Sequence, residues 1–194
     1  MVPRSPQVCS CHDVSEAAIV AAATAALGLA AVSTVGDWIW ARWILDGAVV
    51  PGVIHGVLFF AALAVALGWA VGEPRAISRL LRTLPLAGLV LAAAFYPLAT
   101  VAGYLGALLL TWTGMWLALA LLLRSALGSV RTARAALVRG LLAAVGSGVA
   151  FWAVSGMWTR PAVETGYTLR LLYWTLALLP GLAALLLARR PSPR

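Results

Sequence analysis

Six stretches of this chain run for about twenty residues or more with few or no charges: 16–44, which is unusually long, 52–72, 84–103, 104–123, 139–158 and 167–188. Twenty apolar residues is the length a helix needs to cross the hydrocarbon core of a bilayer. A segment in that core must satisfy its own backbone hydrogen bonds, which leaves helices or a closed barrel, and these runs lack the period-two alternation of barrel strands. The surrounding sequence agrees, because hydrophobic residues make up 63% of the 194 and charged residues only 10%, where soluble domains carry roughly 25%. Too little polar surface remains to cover a water-facing exterior. The expected fold class is all-α, a polytopic six-transmembrane-helix bundle spanning 16–188 between cytoplasmic tails at 1–15 and 189–194. Fourteen arginines beside no lysine and no asparagine suggest a GC-rich, prokaryotic genome.

Arginine placement sets the orientation. Arg75, Arg79 and Arg82 fall between the second and third runs, and Arg124, Arg131, Arg134 and Arg139 between the fourth and fifth. Arg4, Arg189, Arg190 and Arg194 lie in the tails. With both termini inside, these eleven share the cytoplasmic side with three acids, Asp13, Glu16 and Glu73. The three remaining arginines, Arg42, Arg160 and Arg170, are matched outside by Asp37, Asp46 and Glu164. The whole net charge of +8 then sits on the inner face, as the positive-inside rule requires. Such a distribution serves orientation and contact with anionic lipid in the inner membrane of the cell, and not nucleic acid. The first run is too long and follows too few basic residues for a cleaved signal, so an uncleaved span is expected.

The tail sequence VCSCHD (8–13) offers Cys9, Cys11 and His12, one ligand short of a structural zinc site. No metal and no cofactor is expected. GDWIWARWILDGAVVPGVIHG (36–56) falls at the outer interface. Trp38, Trp40 and Trp43 read there as an aromatic belt shared with Trp158 and Tyr167, with Arg42 close to Asp46 or Trp38. Asp37 and His55 fit that account less well, since isolated ionisable groups near a membrane interior are costly and usually functional. With Asp46 and Glu164 they could build an outward acid–base cluster. The chain has neither H-E-x-x-H nor a nucleophile elbow, so no catalytic residue is assigned and His55 is expected to pack beside Gly52 and Gly56. A small membrane enzyme or transport subunit using Asp37, His55 and Glu164 is the rival reading.

Gly52/Gly56 and Gly68/Gly72 are two GxxxG pairs, spacings that let helices approach closely. An ideal helix puts them on nearly opposite faces, so the second span is expected to be contacted on more than one side, and such faces would also serve a homo-oligomer. Trp112 and Trp116 stand one turn apart deep in the fourth span, with Phe95 and Tyr96 in the third and Gly103, Gly106 and Gly114 nearby. Buried indoles and phenols need hydrogen-bond partners, and a lipid headgroup in an intramembrane cavity would supply one.

V50-P51 followed by G72-E73-P74 resembles the Insig (insulin-induced gene) family, whose second span opens on Val-Pro-Pro and closes on Leu-Gly-Glu-Pro. T113-G114-M115-W116 is similar to that family's Ile-Gly-Leu-Trp, and Arg124-Ser125 to the Arg-Ser pair that follows it. Tyr167 and Arg170 match the head of its last span. The resemblance implies a six-helix lipid-binding regulator and not an enzyme. Its animal members bind oxysterols and hold a sterol-sensing partner, and its bacterial relatives are associated with diacylglycerol. Trp116 matches the pocket-side Trp, and the third-span Phe falls near Leu91. Gly103 stands where the family has Gln, and Ala120 where it has Asp, so diacylglycerol is expected before sterol. The expected lipid contacts are Trp116, Trp112, Phe95, Tyr96, Leu91 and Gly103. Truncating Trp116 should then lower retained lipid with a modest loss of stability.

The arginine count makes a direct prediction. Reporter fusions at Leu127 and Gly47 should report opposite sides of the membrane, and the same side for both would end the six-span arrangement.

Overall fold

The structure, a computed structural model, describes residues 11–43, 49–70, 72, 74–127, 132–155 and 166–187. Expectations placed on Cys9, Asp46, Trp158 and Glu164 lie outside these residues, as do those on the side chains of Cys11, His12, Trp40, Arg42 and Trp43. The described residues are all-helical: α1 (Cys11–Trp43), α2 (Val49–Ala70), α3 (Pro74–Leu127), α4 (Ala133–Ser155) and α5 (Tyr167–Leu186). All five are long and apolar enough to cross a membrane.

The 54 residues of α3 would reach about 80 Å as a straight rod, well over twice a hydrocarbon core of roughly 30 Å. They do not form a rod. Gly103 has φ 72° and ψ 167°, outside helical geometry, in a region open essentially to glycine alone. There the chain doubles back, and α3 is two legs, 74–102 and 104–127. The Arg79 guanidinium, near the start of the first leg, donates to the Ala126 carbonyl at the end of the second at 2.6 Å. A Cβ on Gly114 would lie 3.1 Å from Leu91 Cδ2, and the rings of Phe95 and Tyr104 meet edge to face at 5.6 Å.

The helices reach beyond their apolar runs. Arg75, Arg79 and Arg82 ride on the first turns of α3, and Arg134 and Arg139 on those of α4, in place of the expected loops. Arginine is a good helix former and Pro74 is pre-shaped for a first helical position, so nothing stops the helix where the hydrocarbon would end. Pro85, Pro97 and Pro180 are carried inside helices.

Each helix packs on its neighbour in chain order, and α5 returns to α1, closing a ring. Its interior is a continuous apolar core that includes Leu29, Leu63, Leu67, Leu119, Trp116 and Leu182. The outside is apolar too, as Trp69, Trp152 and Val101 show. In water that exterior would be untenable; against acyl chains it is the expected surface.

Glycine sets the closest contacts. A Cβ on Gly88 would fall 2.7 Å from the Gly56 carbonyl oxygen and 2.9 Å from Phe60, and one on Gly56 would fall 2.6 Å from Ala92 Cβ. Gly68 abuts Ile77. Gly52, Gly56 and Gly68 therefore all meet the first leg of α3, despite the opposite faces an ideal helix predicts. The connection after α2 is short enough that Ile77 lies over the end of α2. Gly72 is not a packing residue. It has φ 69°, nothing within 4 Å of its would-be Cβ, and an N–H donated to Trp69 O at 2.8 Å, so it turns the chain out of α2.

These contacts predict opposite outcomes for one substitution type. Gly88→Ala should lower stability by about 1–3 kcal/mol through overpacking. Gly28→Ala, where nothing lies within 4 Å, should raise it by about 0.5–1 kcal/mol. Unfolding in a fixed detergent checks both, and equal responses would contradict the packing.

Candidate functional site

A groove of about 230 Å³ lies between α2 and the two legs of α3. Gly52 and Gly56 of α2 and Gly88 of the first leg of α3 keep its floor low. Phe60, Leu91, Ala92, Phe95, Leu108 and Met115 supply apolar wall, and His55, Tyr96, Thr111 and Trp112 the polar atoms. The hairpin at Gly103 creates it, because both legs of α3 must face α2 for Leu91 and Leu108 to share one space.

The structure brings together four of the expected lipid contacts, Leu91, Phe95, Tyr96 and Trp112, and leaves two apart. Gly103 sits at the hairpin tip with nothing within 4 Å of its would-be Cβ. Trp116, only 1% exposed, is absent from the groove wall; the six-membered edge of its indole presses on Gly181 of α5. The missing Cβ at Gly181 makes room for that ring. The pairing joins the third and last helices across the core, and no local spacing reveals it.

An aromatic cluster backs the groove. Trp112, Phe151 and Trp174 lie nearly parallel with centroids 5.3–6.4 Å apart, joining α3, α4 and α5, and Trp116 meets Trp112 edge to face. The Trp174 indole N–H donates to Asp37 Oδ2 of α1 at 2.9 Å. Arg170, whose guanidinium also lies over the Tyr167 ring, stands 3.9 Å from the same oxygen. Asp37 is therefore held in place by α5. His55 is among the residues lining the groove, while its ring rests against Gly36, beside Asp37 in the chain, and next to the Phe59 ring. Among the described residues no group of three potential metal ligands forms.

Sequence reasoning missed Trp174, Phe151 and the groove-lining position of His55. The one available signal was the polar N–H of a tryptophan inside the last apolar run, which needed an acceptor, and Asp37 was the acid already unexplained. The Trp112 Nε1 atom turns toward Gly148 of α4, 3.7 Å from the position of its would-be Cβ. Neither it nor Trp116 Nε1 finds an acceptor among the described residues.

A second, larger crevice of about 490 Å³ lies between α1 and α2 at Glu16, Ala17, Val20, Ala21, Trp69 and Ala70. The described residues that wall it come from two helices, and the exposed Glu16 and the Trp69 indole are the side chains with polar atoms among them. The smaller groove, walled on three sides and carrying several polar groups, is the better candidate site.

No family model, curated protein or solved structure matches this chain.

Burial of Trp116 generates a prediction opposite to the sequence expectation. Trp116→Ala should cost roughly 3–5 kcal/mol, as for a large aromatic removed from a packed core, with lipid per folded protein little changed. Modest destabilisation with a strong loss of lipid would return Trp116 to the binding site.

Proposed function

We propose that this chain is an Insig-like lipid-binding protein of a prokaryotic cytoplasmic membrane, with the two legs of α3 as separate spans, six crossings and both termini inside. In this reading it holds a neutral lipid such as diacylglycerol, with sterol a weaker fit, and acts as a regulator without chemistry of its own. The observation that carries it is the groove between α2 and the α3 hairpin. It is apolar along most of its length, built on glycine contacts, and supplied with a few uncharged polar groups.

Size supports partial occupancy. About 230 Å³ is below the roughly 300–1,000 Å³ of sites that enclose a whole small molecule. The glycerol end and the start of one chain would fill it, leaving the rest of the lipid in the bilayer. The arginine-rich end of the bundle carries Arg75, Arg79, Arg82, Arg134 and Arg139 on helices and would face the cytoplasm and its anionic lipids.

The rival reading, an enzyme or transport subunit using Asp37, His55 and Glu164, gains from the placement of His55 beside Gly36. It loses from the engagement of Asp37 by Trp174 and Arg170.

Native mass spectrometry of detergent-purified protein, with extraction of bound lipid, tests the lipid reading. Wild type should carry a neutral glycerolipid, and Leu108→Trp, which fills the groove from the second leg of α3, should lower its amount severalfold while the protein stays folded. A lipid-free wild type, or retention unchanged by the substitution, would overturn it.

A further inference from the structure

We infer that the groove selects a lipid by one free hydroxyl, bound between His55 of α2 and Tyr96 of α3; this rests on the lipid-binding reading and adds the chemistry of the head. Charge comes first. Among the described residues that line the groove, none is Arg, Lys, Asp or Glu. A phosphate brought there would lose its hydration with no cation to replace it, a large cost. The polar end of the ligand is therefore uncharged.

The polar side chains then specify the rest. A neutral imidazole carries one donor and one acceptor nitrogen, and a phenol hydroxyl both donates and accepts. Among the described residues neither His55 nor Tyr96 makes a side-chain hydrogen bond, so both keep that capacity for a ligand. Thr111 adds acceptor lone pairs only, its proton being donated to Ala107 O at 2.8 Å. A hydroxyl, donor and acceptor at once, can answer this set; an ester or ether oxygen can only accept.

Glycine holds both side chains in place. The Tyr96 hydroxyl lies against Gly52 and the His55 ring against Gly36, where any Cβ would collide with them. Tyr96 and Thr111 are seven and eight residues from the hairpin tip at Gly103, about 10–12 Å along their helices. If the tip marks the membrane surface, the bound head lies below the headgroup layer. A glycerol bearing one hydroxyl can sink to that depth, whereas a phosphate headgroup would have to leave water.

The test compares dioleoylglycerol with its acetyl ester, in which the same body has the hydroxyl capped, by native mass spectrometry titration of wild type, Tyr96→Phe and His55→Leu in detergent. Wild type should favour the free hydroxyl by about tenfold. Tyr96→Phe and His55→Leu should lose most of that preference while binding the acetyl ester as wild type does. Tyr96→Phe keeps the ring and removes only the oxygen, so it decides the matter if His55→Leu does not fold. Equal binding of both lipids by wild type would overturn the hydroxyl selection and leave lipid binding standing. A preference kept in Tyr96→Phe would overturn the assignment of residues. Binding of neither lipid would overturn both the selection and the reading beneath it.

Discussion

Where α2 crosses the first leg of α3, two helix backbones touch with almost nothing between them. The Gly56 carbonyl oxygen lies 2.7 Å from where a Cβ on Gly88 would be, and Phe60, one turn on in α2, lies 2.9 Å from that position. Between helices in hydrocarbon there is no hydrophobic drive to association, so close van der Waals contact of this kind must supply it. Bringing α2 so near the first leg leaves the second leg, beyond Gly103, facing α2 across a gap. The gap is the groove. A larger side chain at Gly56 or Gly88 would push the helices apart and change its width along its length.

The same economy runs through the core. Gly181 makes space for the Trp116 ring, Gly36 for His55 and Gly52 for Tyr96. In each case one helix gives up a side chain so that an aromatic or imidazole ring from another can lie on its backbone. Polar contacts add to this sparingly. Ser147 donates to Ala177 O at 2.5 Å between α4 and α5, and Trp174 to Asp37 between α5 and α1. Such interhelical bonds fix rotation about the helix axis, which apolar packing alone leaves loose.

The helices themselves were legible because hydrocarbon imposes a single backbone solution, and a twenty-residue apolar run announces it. Their ends were less so. Arg75 and Arg139 looked like loop residues because charge was read as the limit of the span, yet backbone propensity carries the helices through them. The packing role of Gly52, Gly56 and Gly68 was visible as spacing, but not the partner, since Ile77 reaches Gly68 through a short connection that helical geometry does not predict. Of the expected lipid contacts, Phe95, Tyr96 and Trp112, chosen for their chemistry, line one groove. Trp116 lies outside that groove, its ring against a glycine 65 positions further along the chain, a pairing no local pattern announces. His55 was read as packing, and it does pack, on Gly36 of α1, a partner that no local spacing reveals.

The central claim is that lipid enters between α2 and the α3 hairpin, and a photoreactive diacylglycerol tests it in place. Cross-linked in membranes and mapped by peptide mass spectrometry, the probe should label residues within 52–60, 88–96 and 108–115, and excess unlabelled diacylglycerol should suppress the labelling. Labelling confined to Glu16–Ala21 and Trp69–Ala70, or spread evenly over the outer faces of the helices, would contradict the account.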